Sequence, residues 1–217
     1  MGMPLHNAAL AAMVQASAQQ CESVQQIIDI AATAEALAVT ALGGAIAEAQ
    51  AGRLALDAEQ IQVLQAARFA EEAHYRFLVS AGAHALTHTF TLPDPAIIAD
   101  VPTFLNTIIG LEEAFIAAYM AAAQVFAIHG RPDLVAYAMQ TAAVEGDHRA
   151  HARFYAIRAG VVEGVPNNLA FESALFSSLG EAAAALHALG WIGGSGPQLV
   201  YPGPGEIIDP GMLSAVA

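Results

Sequence analysis

Ala70-Glu71-Glu72-Ala73-His74-Tyr75-Arg76-Phe77-Leu78 is the stretch on which the reading of this fold turns. It lies in a segment that opens at Asp57-Ala58-Glu59-Gln60, an acid with a Gln three residues on, the signature of a capping box. Ile61, Leu64, Ala67, Phe77 and Leu78 then supply a helical apolar face. Glu71 and His74 are three residues apart and share a side of that helix, so one metal ion can meet a carboxylate oxygen and an imidazole nitrogen together. The same spacing returns in Glu145-Gly146-Asp147-His148. Either motif alone reads as a surface pair of neighbouring side chains. Two further acids, on other segments, change that reading.

Working outward, punctuation divides the chain into four long helical segments, at about 22–50, 58–85, 102–128 and 132–159. In the first, Val24, Ile27, Ile28, Ala31, Ala32, Val39, Leu42 and Ile46 recur at helical spacing, and Gly52 stops it. Thr87–Asp94 reads as an extended connector, long enough to cross the end of a bundle. Asp100-Val101-Pro102-Thr103 opens the third helix, Gly130 ends it, and Pro132-Asp133 opens the fourth. The expected fold is therefore all-α: a four-helix bundle over 1–160 with a crossover between helices two and three. A short leading helix is expected within residues 1–20. Residues 161–217 form a C-terminal extension packed on the bundle, with a helix within Phe171–Leu189 and a Pro/Gly-rich tail anchored by Trp191.

Glu35 lies among Ile28, Ala31, Ala32, Ala38, Val39 and Leu42, in the middle of an apolar stripe rather than on a polar face. Helix three offers Glu112 and Glu113. The stripe through Glu112 (Leu105, Ile108, Ile109, Phe115, Ile116, Tyr119) is the more apolar, which places Glu112 inward and Glu113 toward its edge, with either one open as the ligand. Along the chain the order is Glu, Glu-x-x-His, Glu, Glu-x-x-His. That is the donor pattern of a carboxylate-bridged di-metal site built from Glu35, Glu71, His74, Glu112, Glu145 and His148. Hard oxygen and nitrogen donors suit iron or manganese, with zinc as a third choice. Buried carboxylates without compensation cost roughly several kcal/mol each, and seven Arg, of which Arg68, Arg76 and Arg149 are nearest, cannot easily neutralise them.

Composition agrees. The 217 residues are 56% hydrophobic and only 12% charged, with a net charge of −13 and no Lys. So few cations exclude a phosphate-binding surface, and with it nucleic acid and anionic membranes. Twenty carboxylates and eight His make metal cations the natural partner. Cys21, the single cysteine, excludes cysteine-ligated zinc or iron–sulfur sites. The most apolar stretch, Ala114–Ile128, is short of the roughly 20 residues of a membrane span. The N-terminus carries no Lys or Arg, so Ala8–Val14 makes a poor secretory signal and a cytoplasmic location is expected. With so few charges, an apolar helix face should be buried in a homodimer or higher homo-oligomer.

These motifs resemble the ferritin-like superfamily and, more narrowly, the ferritin-like domain family that includes the desiccation-related proteins. Glu71-x-x-His74-x-x-Phe77-Leu78 is similar to that family's second-helix motif. Glu112-Glu113-Ala114-Phe115-Ile116-Ala117-Ala118-Tyr119 resembles its third-helix pattern, and Glu145-x-x-His148 its fourth. The likeness covers roughly residues 22–160. It implies a di-metal bundle, often di-iron, reacting with O2 or peroxide as an oxidase, peroxidase or ferroxidase. Two alternatives are a non-enzymatic stress protein with a structural or sequestering metal, and a metal-free interaction module. The family often places a Tyr seven residues after the first-helix Glu; here Leu42 stands there, leaving Tyr119 as the phenol beside the ligands. Relatives are often exported. Of the remaining histidines, His151 reads as a helix-surface residue, His84 and His88 straddle a helix end, and His129 and His187 sit near helix ends.

Overall fold

The structure, a computed structural model, describes residues 22–204. The leading helix expected within 1–20, His6, Cys21 and the tail from Gly205 onward lie outside the described residues. Within them the chain is mostly helical. Four long helices, α1 (Val24–Gln50), α2 (Ala58–Ser80), α3 (Val101–Ile128) and α4 (Pro132–Arg158), are followed by a short α5 (Leu179–Ala188). Local chemistry sets their ends. Ser23 and Gln26 form a reciprocal capping box on α1, and Asp57 and Gln60 form the expected one on α2. The Asp100 carboxylate caps α3, and Pro132 stands in the first turn of α4.

The second helix is shorter than the sequence predicts. It stops at Ser80 rather than about 85, because Gly82 takes a left-handed turn (φ +99°) that a helix cannot continue. The helix expected within Phe171–Leu189 covers only its second half. Ser178 caps it, and the Glu22 carboxylate accepts from the backbone N–H groups of Leu179 and Gly180, fixing the start there. Glu22 is thus a cap for another helix, not the solvated helix-end acid its position suggests.

Helix α1 packs along α2, and α3 along α4. The connector between the pairs carries a strand, β1 (Thr89–Thr91), and a 3-10 turn, Pro95–Ile98. Strand β1 pairs antiparallel with β2 (Gln198–Val200), with Phe90 opposite Leu199. The tail thereby straps the connector down. The Leu92 N–H donates to the Pro197 carbonyl (2.8 Å) and the Thr91 N–H to that of Trp191 (2.8 Å). A Cβ at Gly196 would lie 2.0 Å from the Leu92 carbonyl oxygen, so only glycine admits this approach. Trp191 is buried, as expected of an anchor.

The apolar core is split. One cluster gathers the first half of α1, the second half of α3, the start of α4, the connector and α5, including Ile27, Leu37, Phe126 and Leu134. A second gathers the opposite ends around Leu54, Phe104, Leu105 and Ala156. Glu71, Glu112 and Glu145 lie between them in the polar layer that also includes Glu35, and all four are buried. Helices α1 and α3 are long and apolar enough, by length and composition, to cross a membrane, and more than half of each such window is buried inside the protein.

Candidate metal centre

Each long helix brings one acid to the same place. Glu35 (α1), Glu71 (α2), Glu112 (α3) and Glu145 (α4) are buried, and His74 and His148 stand one helical turn beyond their acids with side chains 12% exposed. Donor atoms of Glu35, Glu71, His74 and Glu145 lie within 4.8 Å of one another, and so do those of Glu71, Glu112, Glu145 and His148. Between helix-three candidates the structure separates the pair. Glu112 faces the cluster, whereas the Glu113 side chain is 44% exposed and lies 3.8 Å from Arg149.

The two halves mirror each other. His74 Nδ1 lies 3.2 Å from Glu71 Oε2, 3.3 Å from Glu145 Oε1 and 3.6 Å from Glu35 Oε2. His148 Nδ1 lies 2.9 Å from Glu71 Oε1, 3.1 Å from Glu145 Oε2 and 3.9 Å from Glu112 Oε1. Glu71 and Glu145 therefore turn one oxygen to each imidazole, while Glu35 and Glu112 each serve one side. Tyr119 donates its hydroxyl to Glu35 Oε1. One imidazole N–H can serve one acceptor, but three carboxylate oxygens crowd each nitrogen. The result is a deficit: Glu35 Oε2, Glu71 Oε1, Glu112 Oε2 and Glu145 Oε1 are buried and line up with no donor. One oxygen on each of the four acids is thus orphaned, and no other carboxylate among the described residues shows this.

Arginine does not relieve the charge. Arg76 pairs with Glu72, Arg149 with Glu172 (3.1 Å), and Arg68 donates to the Val39 carbonyl (2.9 Å); none forms an ion pair with the four acids. Protons take up part of the load. Burial pushes the Glu35 carboxyl up to about 8 against the pull of His74. Burial, reinforced by the charges of Glu145 and Glu71, holds Glu112 well above the ordinary range. Burial also works against charge on Glu71, but His148 and His74 outweigh it and hold this carboxyl well below its usual value. Burial opposes charge on both imidazoles, yet Glu35 beside His74 and Glu71 beside His148 raise them well above 6.5. This is how a tight group of acids and imidazoles behaves when only protons are there to share.

An apolar cavity of about 510 Å³ reaches this layer from one side, between α2 and the α3–α4 pair, and touches Glu112 and His148. Ile61 and Leu64, expected in the core, are only half-buried beside it, and Leu64 lines it. A second cavity, about 390 Å³, lies under α5 and touches Tyr119. Among the described residues, no other histidine joins the cluster. The His151 side chain is 51% exposed, His88 bonds the Tyr75 hydroxyl (2.9 Å), and His129 bonds the Glu22 carbonyl (3.0 Å).

Two supporting groups escaped the sequence reading. Tyr137 donates to the His74 carbonyl (3.0 Å) and packs edge-on to Tyr119. Glu72 is fully buried, bonded by Arg76 (2.7 Å) and by Tyr201 of the tail (2.7 Å). The Arg four residues after Glu72 was the available signal for the latter. The chain matches no family model, no curated protein and no solved structure.

Proposed function

We propose that this chain is a ferritin-like four-helix bundle that holds two metal ions between its helix pairs and uses them for redox chemistry with O2 or peroxide. One observation carries the reading: four buried carboxylates gather around two imidazole Nδ1 atoms, and each keeps one oxygen without a hydrogen bond. Two dications balance four carboxylates and leave both imidazoles neutral, as metal ligation requires. Glu35 and His74 would hold one ion and Glu112 and His148 the other, with Glu71 and Glu145 belonging to both groups. Oxygen-rich donors with one imidazole per ion favour iron or manganese over softer metals. A redox-active pair bound there would supply the electrons that reduce O2 or peroxide. Tyr119 fixes the orientation of Glu35, and the apolar layers on either side limit water around the acids. The motif resemblance supports the same reading. Helices α1 and α3 are then core helices, because each carries a buried acid that ligand binding requires.

The test is elemental analysis of protein purified without chelators, beside a Glu112→Ala, His148→Ala variant. About two iron or manganese ions per chain are expected in the parent, with loss in the variant, and ferrous loading should be followed by oxygen consumption. Stable metal without turnover identifies a structural or sequestering site instead. Absence of metal before and after reconstitution, in folded protein, overturns the reading.

A further inference from the structure

We propose that the cavity between α2 and the α3–α4 pair is the substrate pocket of this centre and takes a neutral, apolar organic molecule. The inference rests on the metal reading above and adds the class of substrate. At about 510 Å³ the cavity falls in the range of sites for small organic ligands. Its polarity is graded. Asp147 and His151 at the mouth have side chains 73% and 51% exposed, the walls are apolar (Leu64, Ala67, Phe104, Ile108), and the inner end is formed by Glu112 and His148. A molecule seated there lies against the two residues assigned to one ion.

The lining chooses among ligands. It contains no Arg or Lys, and two of its members are acids. A carboxylate or phosphate drawn inside meets no cation along the walls, and an ion at the inner end would already have its charge balanced by the four carboxylates, so the desolvation cost is not repaid. A hydrated cation would shed its water against Leu and Phe. A neutral chain or ring gains from burial all along the walls. Small residues keep the space open: Ala66, Ala67 and Ala70 are three of the α2 positions that face it. The cavity under α5 is equally apolar but meets the centre only through Tyr119, so it is a poorer seat for a reacting molecule.

The experiment uses the full chain loaded with cobalt(II), whose visible bands report on ligands near the ion. N-phenyl-1-naphthylamine serves as the fluorescent probe, 1-decanol as competitor and decanoate as its anionic counterpart. Expected are probe displacement by 1-decanol, a shift of the cobalt bands, and binding of decanoate weaker by about tenfold or more. Ala67→Phe, which fills the cavity, should load cobalt normally and lose decanol binding by a similar factor; Val63→Phe, farther from the ligands, replaces it if the first variant does not fold. Cobalt bound with bands unmoved by decanol overturns the pocket alone. So does undiminished decanol binding in the filled variant, which places the molecule in the other cavity, or decanoate binding as tight as decanol. Failure to bind cobalt overturns the metal reading, and the pocket with it.

Discussion

Glu35 shows how much a single residue carries here. Its Oε1 is met by Tyr119, while its Oε2 accepts no hydrogen bond and has only His74 Nδ1 nearby, at 3.6 Å. Removing the phenol hydroxyl leaves the carboxylate free to rotate, so Tyr119→Phe should still fold and bind metal, with affinity at the Glu35 side reduced about tenfold or more. Metal titration by calorimetry checks this, and an unchanged isotherm would reduce Tyr119 to packing. The same residues give a pH dependence. Glu35, raised from 4.5 to about 8, keeps its proton in the folded metal-free protein after the unfolded chain has lost it. Its contribution is complete below the unfolded value and is lost as pH rises through about 8. Glu112, His74 and His148 are raised too and act in the same direction. Glu71, held low, acts oppositely, but its contribution is already complete above about pH 5. Metal-free protein should therefore melt at lower temperature as pH climbs from about 6 to about 8. Metal binding should tighten over that range and release protons, measured by calorimetry in buffers of different ionisation enthalpy. The opposite slope would sink the assignment. Glu35, Glu71, Glu112 and Glu145 were legible from sequence because an acid inside a helical apolar stripe, or three before a His, breaks a local pattern. Glu72 was not, since its tail partner, Tyr201, lies 129 residues away.

Among the elements, α1 carries a sharp contrast in its adjacent glycines. A Cβ on Gly43 would lie 2.7 Å from the Arg68 guanidinium, which donates to the Val39 carbonyl. A Cβ on Gly44 meets nothing within 4 Å. Gly44→Ala should stabilise the protein by about 1 kcal/mol through helix propensity. Gly43→Ala gains the same but displaces a charged hydrogen bond worth roughly 1.5–3 kcal/mol, so it should destabilise by about 1 kcal/mol. Denaturant melts of the two variants decide it, and equal effects would show that Arg68 moves aside without loss. The four long helices could be read in advance because caps and stops are local. The end of α2 could not be placed, because Ala83 and Ala85 continue the apolar pattern past Gly82. Sequence marks β1 as extended chain but not as a strand, because three residues give no period and the hydrogen-bonding partner lies beyond two long helices.

At the scale of the whole molecule, the pairing of α1 with α2 and α3 with α4 followed from link lengths, whereas the cavities did not: an alanine beside empty space reads the same as one in a packed core. Apolar side chains also remain outside, among them Leu86, Ile128 and Met139, each more than half exposed. We propose that exposed apolar surface of this kind is covered in a homodimer. Sedimentation at micromolar concentration should give twice the 22.4 kDa chain mass, and a monodisperse monomer would refute it. The strap formed by β1 and β2 has a consequence in time. During synthesis β1 leaves the ribosome long before β2 exists, with the whole of α3 and α4 made in between. The helices can meet while the connector still lacks its cover, and only the arrival of Trp191 and Gln198–Val200 fixes it. A segment translated long after the connector is thus the one that locks it in place. A chain cut short between α4 and that point would keep every acid and imidazole of the cluster and lose the fastening over the connector.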